Sequence, residues 1–210
     1  MKKEKDIIQE NQKSGISRRA FLRGAGLTTA GTVLAGSGIV GIGDKKSGAK
    51  ERTIGPDPVS INIRVNSRSY NINVQPNETL AEILRNHLQM TGTKIGCDRG
   101  SCGACTVWLG ELPVNSCMIL AMDIRDQEVT TIEGLAKDGK LHPVQQAFIE
   151  EDATQCGFCT PGMIMSISHH LESNPGATLT DVKRAISGNL CRCGTQPHIF
   201  KASMKAAKNI

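Results

Sequence analysis

From Val59 the chain alternates hydrophobic and polar positions: Val59, Ile61, Ile63 and Val65, then Ile72 and Val74. A period of two puts these side chains on one face of an extended chain. Asn66-Ser67-Arg68-Ser69 lies between the two runs as a turn, so the stretch predicts a β-hairpin with one buried face. The period then changes. Leu80, Ile83, Leu84, His87 and Leu88 recur at spacings of three and four, which marks an amphipathic helix, with Asn77 or Thr79 as its cap. Residues 106–109 and 112–114 predict a second hairpin around Gly110-Glu111, and 128–132 a further strand. Hairpin, helix and hairpin in this order predict an α+β domain in which a sheet grasps one helix.

After Gly134 the strand signals fade. Residues 144–149 have helical character. Thr160 is a cap followed by Pro161 at the first helical position, and Met163, Ile164, Ile167 and Leu171 form a stripe of core residues. Thr180 is the expected cap of a short helix through Val182, Ala185 and Ile186, stopped by Gly188, and 199–207 a last helix. The second half is therefore expected to be all-α.

The formal net charge of +5 belongs to one end of the chain. Residues 1–50 hold ten Lys/Arg and four Asp/Glu, whereas 51–210 hold fifteen and sixteen. The body thus has no charge-based reason to seek nucleic acid. The basic end includes Ser17-Arg18-Arg19-Ala20-Phe21-Leu22-Arg23, a twin-arginine signature, followed by an uncharged run over 24–43 and then Ser47-Gly48-Ala49. Basic, apolar and small residues in that order are the layout of an export signal. Seven glycines among the twenty uncharged residues make a poor permanent anchor. The expectation is a twin-arginine signal over 1–49, a linker over 50–58, contact with the membrane only during export, and a periplasmic or other extracytoplasmic location.

The chain's eight cysteines fall into two sets of four. Cys97, Cys102, Cys105 and Cys117 are spaced C-x4-C-x2-C-x11-C, and Cys156, Cys159, Cys191 and Cys193 are spaced C-x2-C-x31-C-x-C. The first is the plant-type [2Fe–2S] spacing. Thiolates suit iron in such clusters because it prefers soft anionic sulfur. Gly96, Gly100 and Gly103 permit the tight path that three ligands on one loop require. The second spacing is less diagnostic by itself. Three other readings compete: zinc, which more often shows two C-x2-C knuckles and fits C-x4-C and C-x-C poorly; a disulfide framework, which could absorb all eight cysteines; and buried free thiols, which would not cluster so tightly. Neither set contains a C-x-H element, which disfavours a Rieske centre. The five histidines (87, 142, 169, 170 and 198) show no ligand spacing.

The flanking residues carry a resemblance. Residues 96–107 with Asn115-Ser116-Cys117 look like the first cluster domain of the molybdenum hydroxylases, the xanthine dehydrogenase and aldehyde oxidoreductase group. Gln155-Cys156-Gly157-Phe158-Cys159-Thr160-Pro161-Gly162-Met163 and Gly188-Asn189-Leu190-Cys191-Arg192-Cys193-Gly194 are similar to that family's second cluster domain. The resemblance covers about residues 59–208 and implies the following. A β-grasp, plant-ferredoxin-like domain over 59–133 would hold the distal [2Fe–2S] cluster on Cys97, Cys102, Cys105 and Cys117. A helical bundle over 134–210 would hold the proximal one on Cys156, Cys159, Cys191 and Cys193. Gln155 and Cys193 match positions that lie against molybdopterin in a large partner subunit. Electrons would pass from molybdenum through both clusters to a flavin, as FAD in a further subunit, or to an external acceptor.

One departure stands out. Many members read C-R-C-T-G, whereas this chain reads Cys191-Arg192-Cys193-Gly194-Thr195. That order, with the twin-arginine segment, resembles small subunits of periplasmic aldehyde oxidoreductases and isoquinoline-type dehydrogenases. No flavin or nucleotide fingerprint occurs. The resemblance implies that substrate chemistry belongs to the large molybdopterin subunit, so no catalytic residue is expected in this chain. The substrates of the complex are expected to be aldehydes or N-heterocycles. The rival reading is a free-standing periplasmic electron carrier.

Overall fold

In the computed structural model, which describes residues 55–210, the alternating run forms strand β1 (Val59–Val65), paired antiparallel with β2 (Arg68–Val74). The signal expected over 1–49 and the linker as far as residue 54 lie outside the described residues. The hairpin loop is only Asn66-Ser67, both with positive φ (50° and 64°). A two-residue turn of that hand matches the twist of the strands it joins. Arg68 and Ser69, expected in the turn, therefore begin β2.

Asn66 also ends another strand. Its Oδ1 accepts the Thr131 N–H at 2.9 Å, and its Nδ2 donates to Thr131 Oγ1 at 2.9 Å. With that N–H withdrawn from the ladder, β5 (Glu128–Thr130) stops two residues short of the run predicted to Ile132. Residues Ile132–Gly134 make a 3-10 turn instead.

Helix α1 starts at Leu80, and of the two candidate caps Thr79 serves. Its Oγ1 accepts the Glu82 N–H, while the Glu82 carboxylate accepts the Thr79 N–H at 2.8 Å. This reciprocal box satisfies two donors that a helix start leaves open. The α-helical turn Leu80–Glu82 runs into a π-helical stretch, Ile83–His87, closed by the Leu88 N–H on the Ile83 carbonyl at 3.1 Å.

Strands β3 (Thr106–Leu109) and β4 (Leu112–Asn115) form the second hairpin. The five strands lie in the order β2-β1-β5-β3-β4, with β1 and β5 parallel and the other neighbours antiparallel. Leu80, Ile83 and Leu84 of α1 pack with Ile63, Val65, Val107 and Val129 of this mixed sheet in one core.

The second half is helical, as predicted: α2 (Pro143–Glu150), α3 (Thr160–Ser173), α4 (Leu179–Ala185) and α5 (Gln196–Ala206). The stripe Met163, Ile164, Ile167 and Leu171 is core. The cap of α4 is Thr178, not Thr180. Thr178 has Asp181 three residues on, whose carboxylate takes its N–H at 2.9 Å, whereas Thr180 has Lys183 in that place. Helix α2 is capped by His142, whose Nδ1 accepts the Val144 N–H at 3.2 Å.

The sheet and the helices are joined through Trp108 on β3. Its Nε1 donates to the Met165 carbonyl of α3 at 2.9 Å, and its ring meets His169 edge-on with centroids 5.8 Å apart. Among the described residues, no helix is long and apolar enough to cross a membrane.

Candidate metal centres

The first quartet lies on the loop between α1 and β3 and on the turn after β4. Asp98, Gly100 and Gly103 all have positive φ (54°, 70° and 67°), so the loop repeatedly reverses its curl. Glycine removes the cost at two of these positions. At Gly96 space is tight instead: a Cβ there would lie 3.2 Å from Cys102 Sγ and 3.3 Å from the Phe158 ring. The curled backbone aims N–H groups at sulfur. That of Ser101 donates to Cys97 Sγ at 3.2 Å. The Arg99 N–H is the chief reason the Cys97 thiol is lowered to about 7, ahead of a smaller opposing effect of burial. Cys117 is pushed up to about 11, chiefly by burial, and its neighbour Cys105 raises it further. Cys102 also lowers the Cys97 thiol, and the charge of Cys97 adds to that of Cys105 in raising Cys117.

The second quartet repeats the arrangement with helices. Cys156 and Cys159 sit in the turn that opens α3, and Cys191 and Cys193 in the loop between α4 and α5. The pairs are Cys156 with Cys193 and Cys159 with Cys191. Burial pushes Cys159 up to about 12, with Cys191 adding to it. Burial also opposes ionisation of Cys191, but the Thr195 hydroxyl at 3.2 Å and the Thr195 N–H outweigh it and hold the thiol at about 7. Cys156 is lowered chiefly by the Phe158 N–H. For Cys193 the Cys156 N–H favours the thiolate, yet the bond to the Cys156 sulfur and the charges of Cys156 and Cys191 raise it overall.

The expected residues thus lie within reach of one another in each set, Cys97 with Cys102, Cys105 with Cys117, Cys156 with Cys193 and Cys159 with Cys191 each affecting the other's ionisation. Among the described residues, no three His, Cys, Asp or Glu side chains converge to chelate a single metal ion. Four soft donors in each set, with no carboxylate or imidazole among them, fit a dinuclear iron–sulfur core, in which each iron takes two thiolates. Gln155, Cys156 and Cys193 are all exposed, so the second quartet opens to the surface at the rim where Gln155 stands.

The two loops touch. The Leu190 N–H, next to Cys191, donates to the carbonyl of Cys102 at 2.9 Å. Asn189 Nδ2 donates to the Gly103 carbonyl at 2.9 Å, while its Oδ1 accepts from Ser166 Oγ at 3.0 Å. Gly162 packs against the same Gly103 carbonyl with no room for a side chain. One hydrogen bond thus separates the backbone bearing one quartet from the backbone bearing the other. Sequence reasoning assigned Asn189 and Thr195 no role. Both partners of Asn189 lie far along the chain, and a threonine before a helix reads as a cap.

The chain is similar to known iron–sulfur proteins. Residues 63–136 match the model of the 2Fe-2S iron-sulfur cluster binding domain, and residues 131–204 that of the [2Fe-2S] binding domain. The chain is 44% identical over 154 residues to the nicotine 6-hydroxylase small subunit of Paenarthrobacter nicotinovorans, covering 73% of this chain and 93% of that protein. It is 38% identical over 173 residues to the iron-sulfur-binding subunit of aldehyde oxidoreductase from Escherichia coli, covering 75% and 76%. Among solved structures, quinoline 2-oxidoreductase from Pseudomonas putida superposes with a TM-score of 0.70 at 36% identity, covering 72% of this chain and 95% of the matched one. The aldehyde oxidoreductase of Desulfovibrio desulfuricans superposes with a TM-score of 0.68 at 38% identity, covering 71% of this chain but only 17% of the much longer matched chain.

Proposed function

Because the chain belongs to the family of iron–sulfur small subunits of molybdenum hydroxylases, we propose that it relays electrons between a molybdopterin centre in a large partner subunit and a downstream acceptor. The observation that carries this reading is the pair of thiol quartets, linked by the Leu190–Cys102 hydrogen bond. Cys97, Cys102, Cys105 and Cys117 would hold the distal [2Fe–2S] cluster, in a β-grasp domain over 59–133. Cys156, Cys159, Cys191 and Cys193 would hold the proximal one, in a helical bundle over 134–210. The clusters, when bound, supply one-electron redox chemistry. The protein supplies burial, N–H groups aimed at sulfur and a fixed spacing.

Gln155 and Cys193 share the exposed rim of the second quartet, which suits contact with molybdopterin of the partner. Asp98 and Arg99, exposed beside Cys97, would face the acceptor, either FAD in a further subunit or an external carrier. No residue of this chain is assigned to substrate chemistry. The complex would oxidise an aldehyde or hydroxylate an N-heterocycle. The twin-arginine segment would export the chain, already folded around its clusters, to the periplasm, which reconciles eight cysteines with an oxidising compartment.

Purifying the native complex tests the reading. A molybdenum-bearing large subunit should accompany the chain, and reduction should give two distinct [2Fe–2S] EPR signals. Clusters without any molybdenum-bearing partner would instead make the chain a free-standing carrier. Residues 1–49 fused to a reporter test the export step: the double substitution Arg18→Lys and Arg19→Lys should keep the reporter in the cytoplasm, and unchanged export would overturn the targeting assignment.

A further inference from the structure

Thr195 stands immediately before α5, where a threonine hydroxyl ordinarily accepts an N–H from the first helical turn. It makes no such bond. The N–H groups of His198 and Ile199 go to the Thr195 carbonyl instead, at 3.0 Å each. The residue is only 2% exposed, and its hydroxyl lies 3.2 Å from Cys191 Sγ. Gln196 Nε2 meanwhile donates to the Cys191 carbonyl at 3.3 Å. The first turn of α5 thus grips this one cysteine at both its sulfur and its backbone. A thiolate bound to iron has no proton to give, so in the loaded protein the hydroxyl must be the donor.

We propose that Thr195 sets the reduction potential of the centre held by Cys156, Cys159, Cys191 and Cys193, by donating a hydrogen bond to Cys191 that strengthens when the centre is reduced. The inference rests on the iron–sulfur reading above. In the loaded protein reduction would add one electron, given up by the partner's molybdenum centre, and the Thr195 hydroxyl would keep its proton. Negative charge on the cysteine sulfurs rises in that step. A hydrogen bond to an anionic acceptor strengthens with its charge, and more so in a buried site. The reduced form is therefore favoured over the oxidised one, and the centre becomes a better first acceptor. Thr195 is a positioning residue in this scheme and touches no substrate.

The test is a redox titration of the native complex followed by EPR, with the distal cluster as internal control. Thr195→Val keeps the shape and removes the hydroxyl. It should lower the reduction equilibrium constant of the proximal cluster about tenfold, a fall of 59 mV for a one-electron couple. Thr195→Ser should restore it to within about threefold of native, and the distal midpoint should not move in either variant. A Thr195→Val complex with both clusters present and native midpoints overturns the proposal. Thr195→Ala is the second apolar variant. If neither apolar variant retains the proximal cluster while Thr195→Ser does, the hydroxyl serves cluster retention and the tuning role is likewise overturned. A native complex with no [2Fe–2S] signal at all would instead refute the iron–sulfur reading itself.

Discussion

The contact between the two cysteine loops is tested most directly by Gly162→Ala. A methyl group there would drive into the Gly103 carbonyl oxygen, with Ala104 Cα and the Gly103 carbonyl carbon each only 3.1 Å away. All three are backbone atoms, so no rotamer change relieves the overlap. The same carbonyl accepts from the Thr106 hydroxyl at 2.7 Å and from Asn189 Nδ2 at 2.9 Å. Pushing it aside weakens both bonds, at about 1 kcal/mol each. Overpacking a filled interior adds about 1–3 kcal/mol. Against these stands the gain from replacing a helical glycine by alanine, about 1 kcal/mol. The clash wins by about 2–4 kcal/mol. For a domain of this size that corresponds to a fall in Tm of about 4–16 °C.

The assay is thermal melting of the cluster-loaded protein, followed by circular dichroism and by visible absorption. Gly188→Ala is the control, because a Cβ there meets nothing within 4 Å. It should be neutral or stabilising by up to about 1 kcal/mol. A Gly162→Ala protein that melts at or above the native temperature would refute the close approach of the loops.

Cys102→Ser should abolish the distal EPR signal and leave the proximal one, since the pairs Cys156–Cys193 and Cys159–Cys191 do not involve it; loss of both signals would show that the sites do not load independently. In the metal-free chain, Cys97 and Cys191, both held at about 7, become thiolates as the pH rises through neutrality, whereas Cys117 at about 11 and Cys159 at about 12 stay protonated. Iodoacetamide followed by peptide mass spectrometry should label the first two ahead of the last two, with the lead shrinking as the pH falls below 7; faster labelling of Cys117 or Cys159 would contradict the assigned environments. Trp108→Phe keeps a ring at the seam but removes the Nε1 donor to Met165, and should cost about 1 kcal/mol in urea unfolding; an unchanged midpoint would mean that bond contributes nothing.

What the sequence disclosed is local. The alternation in β1 and β2, the three–four spacing after Thr79 and the stripe in α3 each live within one element, where periodicity reports burial directly. The grouping of the eight cysteines into two sets is local in the same way, because C-x4-C-x2-C, C-x2-C and C-x-C each lie on one short stretch. The end of β5 was not, because Thr131 leaves the ladder for Asn66, sixty-five residues earlier in the chain. The cap of α4 was legible in principle: Thr178 with Asp181 three residues on is a capping-box pattern, and Thr180 drew the assignment only by lying nearer the apolar run. Asn189 and Thr195 could not be found this way. Each is a short polar residue beside a helix, and such a residue gives the same pattern whether it caps, turns the chain or serves a neighbouring sulfur.

These inconspicuous residues follow from what joins the quartets. The link is the Leu190 N–H on the Cys102 carbonyl, a contact between two main chains. Main chains approach this closely only where side chains are absent or turned away. Gly162 and Gly103 meet the first condition: a Cβ on Gly103 would lie 2.5 Å from Asn189 Nδ2 and 2.7 Å from the Gly188 carbonyl. Leu190 meets the second, with its side chain left 61% exposed. Asn189 then supplies the side-chain bond that holds the approach, tying the Gly103 carbonyl to Ser166 of α3. A junction built from interlocking side chains would absorb an added methyl by repacking. One built from two backbones cannot, because moving the Gly103 carbonyl breaks bonds that also fix Thr106 and Asn189. The spacing between the proposed clusters is therefore held by glycines and one amide rather than by the sulfurs themselves, and changes at those positions should alter the coupling of the centres even where every cysteine is intact.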